Sequence, residues 1–105
     1  MSNRLPILDL VLKQKPYLMI YEGIKLEEYR EIKPYWQKRF EKFGEKPLLV
    51  RLRFGYTSKS FLMFCDRIRT GSPRPEWVCD QNIPERCFVL RIKPPSADDL
   101  EAINQ

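Results

Sequence analysis

The residues of this chain best suited to chemistry fall in one octet, Gly23-Ile24-Lys25-Leu26-Glu27-Glu28-Tyr29-Arg30. Gly23 permits a left-handed exit from a helix and a close approach of the backbone to a ligand. Lys25 stands two residues on, at the entrance of an extended segment that can aim its ammonium into a cleft. Glu28 and Arg30 alternate onto one strand face, where the carboxylate can fix the guanidinium plane for bidentate recognition of a phosphate or a base edge. The same carboxylate beside Lys25 can serve as a base while the ammonium polarises a carbonyl. A plainer use of these charges is a rim ion pair, worth about 0–1 kcal/mol.

Other residues extend the candidate site. Tyr29, Tyr35, Tyr56 and Trp77 lie in or near the octet and the loops, and a base stacked on such a ring contributes ~1–3 kcal/mol. Glu76, next to Trp77, is the candidate second acid of a hydrolase. Arg51 and Arg53, with Lys33, Lys38, Arg39 and Lys42, make either a phosphate track or a solvated basic face. The chain has no histidine, which excludes Ser-His-Asp and Cys-His catalysis and every histidine metal site. Its three cysteines, Cys65, Cys79 and Cys87, include no C-x-x-C pair and are one short of a four-thiolate zinc site. No metal and no cofactor is expected, and the thiols read as small hydrophobes in a reducing compartment.

The net charge of +5 and a pI near 9.2 favour anionic partners, nucleic acid first. The segment after Lys93 carries Asp98, Asp99 and Glu101 and no basic residue, so residues 1–93 are more basic than the whole. The reading is one domain over 1–93 followed by an acidic tail over 94–105. Apolar runs such as Tyr17 to Tyr21 fall far short of the roughly 20 residues needed to cross a bilayer. Asp9 interrupts Ile7 to Leu12, so no signal peptide is expected, and a cytoplasmic protein without membrane contact follows.

The elements that must position the octet are marked by proline, glycine and periodicity. Leu5 to Leu12 reads as a strand. Gln14-Lys15-Pro16 opens a helix that Gly23 stops, with Tyr17, Ile20 and Tyr21 on one face. Lys25 to Arg30 reads as extended, and a regular pleat places Leu26, Glu28 and Arg30 opposite Lys25, Glu27 and Tyr29. Pro34 begins a second helix ended by Gly44, with Trp36, Phe40 and Phe43 facing the core. Leu48 to Phe54, Phe61 to Arg69 and Cys87 to Ile92 are strands, and Gly55 to Ser58 is a turn. Ser96 to Asp99 can cap one helical turn or stay loosely ordered. The class is α+β, a small, mostly antiparallel β-barrel with two short helices.

The octet resembles the G-x-K-x-x-E-x-R signature of the ASCH domain family, a branch of the PUA-like superfamily. Lys15-Pro16-Tyr17-Leu18-Met19-Ile20-Tyr21-Glu22 is similar to that family's helix running into the motif. Glu28 to Trp36 resembles a continuation common in phage-associated and bacterial members, and Pro75-Glu76-Trp77 a loop before their last strand. The resemblance spans most of residues 5–93. It implies a PUA-like barrel with the signature lining a cleft, and an RNA or modified-base ligand; the candidate set for an RNA, nucleoside or nucleotide is then Gly23, Lys25, Glu28 and Arg30 of the signature, with Tyr29, Trp77, Arg51 and Arg53 added from the aromatic and charge pattern. One branch hydrolyses N4-acetylcytidine with a lysine, a threonine three residues later and a distant glutamate. Lys25 matches that lysine, but Glu28 stands at the threonine position, so a metal-free amidohydrolase using Lys25, Glu28 and Glu76 is the alternative. A protein-interaction adaptor is the second alternative. The binding expectation depends on Lys25 and Arg30 converging on one hollow.

Overall fold

Proline and glycine set the element ends much as their backbone chemistry requires. The computed structural model describes residues 4–80 and 82–101, so the first three residues of the expected domain and the last four of the expected tail lie outside the described residues. Strand β1 (Ile7–Leu12) begins just past Pro6, not at Leu5. Helix α1 (Gln14–Tyr21) carries Pro16 in its first turn, where a missing N–H leaves no bond unmade. Gly23 takes φ +78° behind it, and the Met19 carbonyl then accepts from the N–H groups of both Ile24 and Lys25. That cap releases the chain into β2 (Glu27–Arg30), so Lys25 precedes the strand and escapes its alternation. Tyr17 and Ile20 are buried, whereas Tyr21, expected in the core, faces solvent with its ring against the edge of Phe61.

Helix α2 (Pro34–Glu41) starts at its proline, and Phe40 with the following Phe43 enters the core. Strands β3 (Leu48–Phe54), β4 (Ser60–Gly71) and β5 (Cys87–Lys93) complete one sheet in the order β1-β3-β4-β5-β2. Only the β1–β3 pair is parallel, Ile7 to Leu12 lying beside Leu49 to Phe54, because α1, β2 and α2 supply the crossover. The other pairs are antiparallel. β4 is long enough to serve two neighbours, and a register shift between Cys65 and Ile68 bends it from β3 toward β5. The sheet curls into a half-barrel around Leu8, Leu10, Leu48, Val50, Leu52 and Leu90.

The expected barrel is therefore open: β1 and β2 are edge strands with no ladder between them. A third short helix, α3 (Ala97–Glu101), adds to the expected two. It is a capped turn, in which Asp99 N–H donates to Ser96 Oγ and Ser96 N–H to Asp99 Oδ2. No helix among the described residues is long and apolar enough to cross a membrane.

Candidate functional site

A cleft of about 540 Å³ lies where the two edges of the sheet approach each other. The end of β1 supplies Val11, Leu12 and Lys13, and the β2 side supplies Lys25, Glu28 and Arg30. Trp36 of α2 and the loop residues Cys79 and Asp80 complete its wall. The fold thus brings together the three charged positions singled out in the octet.

These three form a chain of charges. Lys25 Nζ lies 3.5 Å from Glu28 Oε1, and Arg30 Nη2 donates to Glu28 Oε2 at 2.9 Å. The Lys25 side chain is only 2% exposed, and its ammonium also donates to the Trp77 carbonyl and sits 4.7 Å from the Tyr29 ring centroid. Arg30 Nη2 reaches across the open edge to the Val11 carbonyl at 3.1 Å, while its guanidinium lies over Trp36 at 4.8 Å. Its Nε is buried without a hydrogen-bond partner. An orphaned buried donor costs stability, about 1–3 kcal/mol, so this arginine is held in place at some expense to the fold.

The free edge of β1 is stopped by side chains. Its ladder with β3 uses the Pro6 and Leu12 carbonyls, which accept from Leu49 and Gly55, while the Asp9 and Val11 carbonyls accept from arginines. Arg39 of α2 donates to Asp9 O at 3.0 Å and lies 5.2 Å from the Trp36 ring. Arg30 does the same for Val11, so both guanidiniums are braced on one indole.

Other sequence candidates stand elsewhere. Gly23 does not line the cleft, and a Cβ placed on it would meet no atom within 4 Å, so its left-handed backbone, not a close approach, explains it. Tyr29 touches the cleft, but its hydroxyl donates to Glu27 Oε1 at 2.8 Å and accepts from the Arg74 N–H at 2.9 Å. Burial, and then Glu27 beside it, push the Tyr29 phenol well above its usual range. The Trp77 ring packs on Tyr29, Cys87 and Val89 and contributes its carbonyl, not its face. Glu76 is exposed outside the cleft with Arg74 3.9 Å away, which removes it as a partner for Lys25. Arg51 and Arg53 do not line the cleft; they share the single carboxylate of Asp9, at 3.4 and 3.0 Å. Lys33 pairs with Glu31 and Arg39 is committed to β1, so two members of the set that offered either a phosphate track or a solvated basic face are held by neighbours. Tyr56 is 99% exposed at the hairpin turn and Tyr35 packs beside Arg39.

Trp36, assigned to the core by its spacing, does pack against the core with Phe40 and also forms part of the cleft wall, a second role that spacing alone did not show. The available signal was its place in the first turn of α2, six positions after Arg30. Among the described residues no three His, Cys, Asp or Glu side chains cluster as a metal site would require. No protein-family model matches the chain, and no curated protein matches it.

Proposed function

We propose that the chain is an ASCH-type, PUA-like domain whose cleft binds a single nucleotide unit, free or within RNA. The observation that carries this reading is the convergence of Lys25, Glu28 and Arg30 on one concave hollow of about 540 Å³. That volume lies within the range of roughly 300–1,000 Å³ typical of small-ligand sites. The cleft lining balances Lys13, Lys25 and Arg30 against Glu28, Glu31 and Asp80, but Lys25 and Arg30 share the single carboxylate of Glu28, and that local pair of cations favours an anionic oxygen. Among the described residues, Arg30 Nη1 makes no hydrogen bond, which leaves a donor for that oxygen. Arg51 and Arg53, outside the cleft and tied to Asp9, support a one-unit ligand over a long phosphate track.

Titration with the four nucleoside 5′-monophosphates and their nucleosides, followed by tryptophan fluorescence, tests the proposal because Trp36 lines the cleft. A saturable change with a monophosphate is expected, weakened about tenfold or more in Arg30→Gln, equivalent to about 1.4 kcal/mol. No saturable change with any of the eight at millimolar concentration overturns it. In a parallel incubation, N4-acetylcytidine is expected to stay intact. Cytidine release that is lost in Lys25→Met would instead establish the amidohydrolase reading, with Lys25 and Glu28 as its working pair.

A further inference from the structure

Lys25 is the most deeply buried charge among the described residues, and its ammonium already has three partners. It donates to the Trp77 carbonyl, lies beside Glu28 Oε1 and faces the Tyr29 ring. Trp77 belongs to a long connection between β4 and β5 in which one 3₁₀ turn, Pro75–Trp77, is the only regular structure among the described residues. Among its described residues the backbone bonds run within the segment: Trp77 N–H to Arg74 O, Val78 N–H to Pro75 O and Ile83 N–H to Asp80 O. Around Trp77 its polar ties come from Tyr29 of β2 and from Lys25, two residues before that strand, while nearer β5 Arg86 Nη2 donates to Thr70 Oγ1 of β4. Lys25 holds the Trp77 carbonyl, and the Tyr29 hydroxyl accepts the Arg74 N–H. Two residues beyond Trp77 the same segment forms the cleft wall with Cys79 and Asp80.

We infer that Lys25 is a positioning residue: it latches the connection carrying Cys79 and Asp80 into place as the wall of the cleft, and its ammonium does not touch the ligand. Tyr29 is the second point of the same latch. The inference rests on the cleft being the binding site proposed above, yet the latch itself can be measured with no ligand present. Lys25→Met keeps the length of the buried chain and leaves Glu28 its bond to Arg30, so the fold has what it needs to survive the change.

The experiment compares amide hydrogen exchange and cytidine 5′-monophosphate affinity in the wild type, Lys25→Met, Tyr29→Phe and the double variant. Both single variants are expected to accelerate exchange at residues 74–80 by about tenfold without changing exchange in β3, the signature of a local opening. Both are expected to weaken the monophosphate by similar factors, and the double variant by less than the product, because the two act on one segment. Lost affinity in Lys25→Met with unchanged exchange at 74–80 would overturn the inference, since the ammonium then acts on the ligand directly. A wild type that ignores all eight nucleosides and monophosphates fails the binding proposal while the exchange data still decide the latch. If Lys25→Met does not fold, acylation of wild-type amines decides: Lys25 is expected to be protected equally with and without the monophosphate, and protection that appears only with it refutes the latch.

Discussion

Cys65 and Cys87 are fully buried, and burial pushes the Cys65 thiol up to about 11 and raises that of Cys87 as well. Cys79 is half-buried at the cleft, its sulfur 3.7 Å from Met19 Sδ. Native protein treated with a thiol reagent near neutral pH is therefore expected to label at Cys79 first, with Cys65 and Cys87 reacting only on unfolding. Equal labelling of all three by peptide mapping would contradict the burial described here. At this scale the octet was legible in part. Alternation put Glu28 and Arg30 on one face correctly, but it put Lys25 on the other, because the regular pleat starts only at Glu27. Glu76 and Trp77 stand outside the cleft lining for a different reason: a loop's side-chain directions follow its path, which no periodicity records.

Among the elements, the two helices over Gln14–Tyr21 and Pro34–Glu41 announce themselves through Pro16, Pro34 and the glycines after them. The strands are equally plain in their alternation, and even the tail's turn is foreshadowed by Ser96 and Asp99. Their partners are not. Nothing local shows that Asp9 lies beside Arg51 or that Arg39 meets the Asp9 carbonyl, since these contacts span 42 and 30 positions. The edge of β1 provides a test of that unseen layer. Arg39→Ala removes the bond to Asp9 O and one guanidinium from the Trp36 ring. A loss of about 1–2 kcal/mol in urea unfolding is expected from the bond and the cation–π contact together. A value indistinguishable from zero would mean that water replaces Arg39 at the edge without cost.

For the molecule as a whole, the net charge of +5 invites an electrostatic account of RNA binding, and the structure narrows it. Arg51, Arg53, Arg69 and Arg91 are each held by a carboxylate within 3.5 Å. If one nucleotide unit is gripped, with one or two phosphates contacted, the logarithm of affinity for a short single-stranded RNA falls with the logarithm of salt at a slope of only about −1. A slope several times steeper in filter binding would restore the continuous basic track. The class and the antiparallel majority of the sheet followed from the spacing of the strands; the order β1-β3-β4-β5-β2 and the missing closure did not, because both depend on how far the sheet curls.

That missing closure has a mechanical consequence. A ring sealed by main-chain ladders has a fixed girth, and changing it means breaking several backbone bonds at once. Here the gap is spanned by the Arg30 side chain, resting on Val11 at one rim and rooted in β2 at the other. Parting the two rims at that point costs one side-chain hydrogen bond, where a sealed ring would have to give up a row of main-chain bonds.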